Sequence, residues 1–452
     1  LAASGIPARW LEALDGGSGD AREALSELIE SSVCRLSEDR SKVMIHGLQG
    51  RVIRETWQDE PARWEWVEDA AAGLLGAVDV TAIPVRDSAG RRREALDLVE
   101  QLRAAAGQDH SKGLFSRPRT ADALARALWH AAELGDPQAA LSLADAVDLL
   151  DKTLGPAHPS TLAARNSLAH AYRSAGRLDQ AIDLFEQNLD DIKRVLGPDH
   201  PRTLTSRDNL AYAYLSADRL DEAIDLHGRT LADRERLLEP DHPDILISRN
   251  NLALAYQDAG RLDEAIDLHK RTLADSERIL GPDHPDILIS RNNLAGAYES
   301  VGRRDEAVDL HEQNLTEALR VLGPDHPHTL ISRGNLANAY QDAGRLDQAI
   351  NLHEQNLTDS EHVLGPDHPH TLISRGNLAD AYLSVGRRDE AIGPFERNLA
   401  EALRILGPDH PNTKTFRNNL ADAYRAVGRD EEAAALLDSP SDPDDTDAEA
   451  LA

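Results

Sequence analysis

The stretch that most constrains this chain is LGPDHP, which begins at Leu196 and recurs with small changes every 42 residues, at Leu154, Leu238, Leu280, Leu322, Leu364 and Leu406. A fixed period of this length is the signature of a solenoid, in which each repeat buries its apolar face only by stacking on its neighbours. A chain of 452 residues exceeds the size at which one compact core keeps growing, but an array extends its core along one axis and escapes that limit. The same constraint moves the search for function to a repeated surface, because no solitary catalytic constellation is visible.

Each repeat reads as two amphipathic helices. In the repeat from Pro243, Leu246, Leu252, Ala253 and Tyr256 fall on one helical face, and Ala265, Ile266, Leu273 and Leu280 do so on a second helix. Pro243 suits the first helical position, where the amide it lacks had no partner to lose. Gly260 is placed to end the first helix, Asp263 to cap the second and Gly281 to close it. LGPDHP is therefore a stop-and-start signal between helices.

The leucine, small residue, tyrosine, glycine and alanine at Leu252, Ala253, Tyr256, Gly260 and Ala265 resemble the tetratricopeptide repeat. NNLALAY followed by GRLDEAIDLHKRTL and LGPDHP resembles, more narrowly, the 42-residue form found in kinesin light chains and in many bacterial STAND proteins. The likeness is renewed from Pro159 to about Leu437. It implies an all-α fold, a right-handed superhelix of seven repeats over 159–438 with the last truncated, whose first helices line a concave groove for peptides or partner domains. Ala121 to Leu134 and Pro137 to Leu154 read as a degenerate helix pair that caps the array over 120–158.

Upstream the chain is built differently: all five tryptophans lie at or before Trp129 and all eight tyrosines at or after Tyr172. Ala21 to Leu36 begins at helical spacing, VCRL and KVMI around the turn SEDRS read as a hairpin, and a second helix is expected from His46. That order resembles the C-terminal half of the winged-helix module of NB-ARC-type STAND NTPases, and it covers 1–58. In that family a Met-His-Asp motif touches the phosphates of ADP; here Ile45, His46 and Gly47 keep only the histidine, so His46 is the one nucleotide-contact candidate. Nothing matches the phosphate-cradling GxxxxGK[ST] loop, so no cofactor is assigned. The NTPase domain is expected upstream of Leu1, in a chain whose only methionine is Met44. Over 59–119, Pro61 to Val78 and Gly90 to Ala106 read as a helical connector and Gly107 to Arg119 as a linker, while the acidic tail 439–452 is expected to be disordered.

Composition narrows the partners. A formal net charge of -30, from 79 acidic against 49 basic residues, disfavours nucleic acid and anionic membranes and favours a basic or neutral protein ligand. The single Cys34 excludes an intrachain disulfide, and no 18-residue apolar run or leader is present, which points to the cytoplasm.

Comparing the repeats within the chain separates fixed from variable positions. Asn209, Asn251, Asn293, Asn335, Asn377 and Asn419 form one row, with Ser167 in the first repeat. Amides in such a row can grip the backbone of an extended peptide, or they can bond to one another and to neighbouring helices. Three residues on, the chain varies through His170, Tyr212, Leu254, Gly296, Asn338, Asp380 and Asp422, and three further on through Arg173, Leu215, Gln257, Glu299, Gln341, Leu383 and Arg425. The least charged floor lies at Tyr212, Leu215, Leu254 and Gln257, where a peptide anchor is expected. Histidines in the repeated turn are too far apart to share a metal, since packed helices stand about 8–10 Å apart and zinc needs nitrogens within about 2.1 Å. His227, His269, His311 and His353 occupy the slot of Phe185 and Phe395 and read as packing groups. The invariant row Arg165, Arg207, Arg249, Arg291, Arg333, Arg375 and Arg417 reads as surface ion pairs of small worth. Gly393 and Pro394 inside a second helix predict a delayed start or a kink there.

The sequence thus reads as a non-catalytic, peptide- or protein-binding scaffold, either the sensor arm of a STAND protein, which can oligomerise in its full-length context, or a free-standing adaptor or self-assembling scaffold. Purified 1–452 is expected to release no phosphate from ATP. Measurable turnover in a coupled assay would contradict this reading.

Overall fold

The computed structural model describes residues 5–13, 34–37, 39, 41–45, 61–84, 87–108, 112–281, 283–366, 368–406, 408 and 411–438. His46, the helices expected from Ala21 and from His46, and the acidic tail lie outside the described residues. The chain divides into two compact units, Leu1–Pro84 with Gly90–Arg219, and Leu220–Ala452 with Val85–Ala89.

In the first unit three short strands, β1 (Ile6–Pro7), β2 (Cys34–Leu36) and β3 (Lys42–Ile45), form an antiparallel sheet of order β1-β3-β2. The expected hairpin pairs Cys34 with Ile45 and Leu36 with Val43. β1 is too short to show a strand period. It is held from outside, by the buried Gln101, whose Nε2 donates to the Gly5 carbonyl at 2.8 Å. Beside it, buried Trp10 donates from Nε1 to Glu94 at 2.5 Å, and Arg9 meets Asp97 at 2.5 Å. One hydrophobic cluster then runs from Trp10 through Leu75, Leu98, Leu102, Phe115, Leu124 and Leu128 to Leu150 and Leu168.

Two expectations for this unit need correction. Gly107 to Arg119 is not a free linker, because Lys112–Phe115 is a helical turn whose Phe115 is fully buried. Burial of one phenylalanine contributes about 1.5–3 kcal/mol, which outweighs the flanking glycine and proline signals. The second capping helix is also interrupted, as Pro137–Leu141 and Ala144–Thr153. There the Ser142 hydroxyl donates to the Ala139 carbonyl at 2.6 Å, and Leu143 turns into the core.

From Pro159 the 42-residue period becomes tandem helix pairs. The first helices are Pro159–Ser174 and Pro201–Ser216 in the first unit, and Pro243–Asp258, Pro285–Ser300, Pro327–Asp342, Pro369–Ser384 and Pro411–Ala426 in the second. Each starts at its proline. The preceding histidine is an N-cap that the sequence reading overlooked: His242 Nδ1 accepts the Asp244 amide at 3.1 Å, and His158, His200, His284, His326 and His368 repeat the bond. Gly260 (φ +69°) and Gly281 (φ +82°) end their helices in the left-handed region, as expected. Asp263, however, is not the cap. Leu262–Leu280 begins after Arg261, which makes no side-chain cap bond; Asp263 sits in the first turn, where a carboxylate favours the helix dipole. Arg261 stacks over Tyr256 at 4.3 Å and meets Glu264 at 2.6 Å.

Stacking between pairs supplies the core of the second unit. Ile266 of one pair packs with Leu294, Ala297 and Tyr298 of the next, Val308 with Leu336 and Ala339, and Ile350 with Leu378 and Ala381. The arginine row is corrected here: Arg165, Arg333 and Arg375 are buried. Arg165 bridges Asp151 and Asp191 at 2.6 Å each, Arg249 bridges Glu235 at 3.0 Å and Asp275 at 2.6 Å, and Arg375 meets Glu361 at 2.8 Å and Asn398 at 3.0 Å. Partners lie 14 residues before and 23 or 26 after, so Arg165, Arg249 and Arg375 each tie their own pair to the helix before it. The helix Arg388–Leu406 shows no delayed start despite Pro394. Glu390, whose carbonyl loses its partner, is exposed to water, and Gly393 offers the proline ring no Cβ to strike.

His227, His269, His311 and His353 are buried to 2 % exposure or less, in the slot that Phe185 and Phe395 fill. Burial pushes the imidazoles of His269 and His353 down to about 4, and neither ring nitrogen of either has a partner among the described residues. Both are neutral in the folded chain. As pH falls from about 6.5 toward 4, the unfolded chain binds protons that the folded one refuses, so stability is lost across that window. The melting temperature should fall between pH 7 and pH 4.5, and fall less when His269→Phe and His353→Phe are combined. An equal fall in both proteins would contradict the neutral stack.

Candidate functional site

On a helix of about 100° per residue, positions four, seven and eleven after Ile247 lie within about 40° of it. Ile247, Asn251, Leu254 and Asp258 therefore share one face of Pro243–Asp258, with Asn250 and Gln257 at its margin. The same positions recur on each first helix and carry every groove residue expected from sequence.

The asparagines are joined sideways. In the first unit Asn209 Nδ2 donates to Asn166 Oδ1 at 2.8 Å. In the second, Asn293 donates to Asn250 at 2.7 Å and Asn335 to Asn292 at 2.6 Å. Gln257 and Gln341 add bonds to Ser300 and Ser384, both at 3.1 Å. Of the two readings of the row, bonding between neighbours is what these positions display. It leaves each bonded amide three of its four hydrogen-bonding sites, since one amide offers two donors and two acceptor lone pairs. Asn251 is 5 % exposed. Asn377 and Asn419 are half-buried and have no side-chain hydrogen bond among the described residues, because the partner register 43 residues upstream holds Gly334 and Gly376.

The expected anchor residues are divided between the units. Tyr212 and Leu215 are half-buried in the first, where burial raises the Tyr212 phenol above its ordinary range. Nearby on that unit, Trp129 meets His170 edge-on at 4.9 Å and His170 meets Phe185 at 5.3 Å. Burial, then the charge of Arg173, pushes the His170 imidazole to about 4. Leu254 and Gln257 are half-buried in the second unit, and Gln257 Oε1 is buried with no donor among the described residues.

Sequence reasoning overlooked Ile247, Ile289, Ile331 and Ile373, which are 52, 44, 39 and 51 % exposed. The signal was available: an isoleucine one residue after each buried core leucine, identical in four successive repeats, has no packing reason to be apolar. Among the described residues no group of three or more His, Cys, Asp or Glu side chains is placed to hold a metal ion, and no helix is long and apolar enough to cross a membrane.

If the lateral bonds contribute as such bonds usually do, Asn293→Ala lowers stability by about 0.5–1.5 kcal/mol. Asn377→Ala, which breaks none, changes it by less than about 0.5 kcal/mol. Urea melts giving equal losses would contradict the pairing.

The tetratricopeptide repeat family matches residues 119–190, 160–236, 209–276, 244–316, 292–358, 331–400 and 385–439. Among solved structures, nearly identical TPR-like repeats of a Podosopora anserina kinesin-light-chain-type protein are 35% identical over 45% of this chain and 97% of that chain, with a TM-score of 0.40. BtubC (BKLC) from P. vanneervenii is 22% identical over 48% of this chain and 88% of its own, with a TM-score of 0.43. A STAND protein with a tetratricopeptide repeat sensor from Pyrococcus horikoshii is 13% identical over 96% of this chain and 59% of its own, with a TM-score of 0.45. No curated protein matches the chain. The overlapping repeat matches run without a gap from 119 to 439, and the chain belongs to the tetratricopeptide repeat family.

Proposed function

We propose that the chain is a non-catalytic scaffold that binds a peptide or protein on the inner face of its first helices. The observation that carries this reading is the set of laterally bonded amides. Asn293 and Asn335 each use one donor on the neighbouring helix and keep a second donor and a carbonyl oxygen for a ligand backbone. Variable residues three and six positions on, such as Leu254 and Gln257, would then read side chains. Repeat arrays use extended inner surfaces in this manner.

The reading extends to context. In it the chain is the sensor or regulatory arm of an NB-ARC-type STAND protein, with ATP chemistry residing in a nucleotide-binding domain outside this sequence. The β2–β3 hairpin, at the place of the winged-helix wing, supports that assignment. Ligand binding would act by favouring one of two conformations of the whole protein.

A quantitative pull-down compares the native chain with the combined Asn251→Ala, Asn293→Ala and Asn335→Ala variant. Selective loss of captured partner from a variant that keeps its helical spectrum is expected. Equal capture would remove the amide row from recognition.

A further inference from the structure

The exposed isoleucines and the carboxylates beside them point to the chemistry of the ligand. Ile247, Ile289, Ile331 and Ile373 stand at the same position on Pro243–Asp258, Pro285–Ser300, Pro327–Asp342 and Pro369–Ser384, all within the second unit, and form an apolar row of four. Several carboxylates elsewhere in that unit sit on arginines: Glu235 and Asp275 on Arg249, Glu264 on Arg261, Glu306 on Arg303, Asp359 on Arg333. The carboxylates of the inner face of these four helices have no such partner and stand beside the isoleucine row. Among the described residues no cation stands against Asp258, Asp342 or Asp380, and Glu299 meets only the buried His311, at 3.1 Å from its Nε2. Burial raises the carboxyls of Asp258 and Asp380 above the usual range, so both are partly desolvated without compensation. No lysine or arginine occupies the face positions of these four helices.

We propose that this face takes an extended basic segment of a partner protein, with an apolar side chain at every third position for the isoleucine row and lysine or arginine between them for the carboxylates. The period follows from geometry. Neighbouring packed helices stand about 8–10 Å apart. A polyproline II segment advances about 3.1 Å per residue with three residues per turn, so its side chains repeat on one face about every 9 Å. A β-strand repeats every two residues, about 6.6–6.8 Å, and falls out of step with the helices. Four isoleucines span three such intervals, which is about ten residues of ligand. The inference rests on the scaffold reading above and adds the ligand's charge and spacing.

The test uses purified 1–452 and fluorescein-labelled synthetic peptides at physiological salt, read by fluorescence anisotropy. Four repeats of Leu-Lys-Pro are the probe; four repeats of Ser-Lys-Pro keep the charge without the apolar groups, and four repeats of Leu-Glu-Pro reverse the charge. The probe should bind at least about tenfold more tightly than either control, as expected when several apolar side chains are buried. Ile289→Ser with Ile331→Ser, and separately Asp342→Asn with Asp380→Asn, should each weaken it by about tenfold, while Glu264→Gln, whose partner is Arg261, leaves it unchanged. All four substituted residues of the test pairs lie on the helix surface, and unchanged thermal melts establish that folding is intact. Binding no tighter than Ser-Lys-Pro, or insensitive to the isoleucine pair, overturns the inference. Preference for Leu-Glu-Pro with dependence on Asn251, Asn293 and Asn335 also overturns it, but leaves the scaffold reading standing.

Discussion

A helix pair of this kind cannot cover its own apolar stripe, and everything else in the array follows from that. Ile266 is shielded by Leu294 and Ala297 of the next pair, and Ile350 by Leu378 and Ala381. Alanines at these contacts, fully buried at Ala255, Ala297 and Ala381 to within 1 %, let the helices approach closely. The repeat therefore has to return in register, and LGPDHP is the device that makes it do so. Glycine ends one helix in the left-handed region, histidine caps the next, and proline occupies the first helical position without losing a bond.

Polar groups then fix which arrangement the apolar contacts adopt. A buried Arg375 between Glu361 and Asn398, or Arg165 between Asp151 and Asp191, is satisfied only when two consecutive pairs stand correctly. Removing one member of such a pair typically costs about 3–5 kcal/mol, so these bridges penalise mis-stacking more than they add net stability. The neutral histidines in the phenylalanine slot belong to the same layer, and they make the stacking sensitive to acid.

What was legible in the sequence is what acts locally or repeats. Proline and glycine set backbone angles on their own, so helix ends at Pro243, Gly260 and Gly281 were readable. The polar turn SEDRS between VCRL and KVMI made the Cys34–Leu36 and Lys42–Ile45 hairpin readable. Most of the failures share a cause in distance. Phe115 looked like part of a linker because its burial depends on helices elsewhere in the chain. The arginines looked superficial because their partners lie 14 and 26 residues away. The amide bonds join residues 43 apart, one more than the repeat, an offset set by how neighbouring helices pack and not by the period itself. The imidazole caps went unread because an Nδ1 acceptor depends on the turn that presents it.

The proposed recognition surface lies on the helices between the joints, where amides bonded sideways, an exposed isoleucine row and carboxylates with no cation among the described residues share one face. A covalent-labelling footprint of the chain with its captured partner tests this most directly. The account predicts protection over Pro243–Asp258, Pro285–Ser300, Pro327–Asp342 and Pro369–Ser384, at Ile247, Ile289, Ile331 and Ile373 above all. Protection confined to the LGPDHP turns or to the second helices would contradict it.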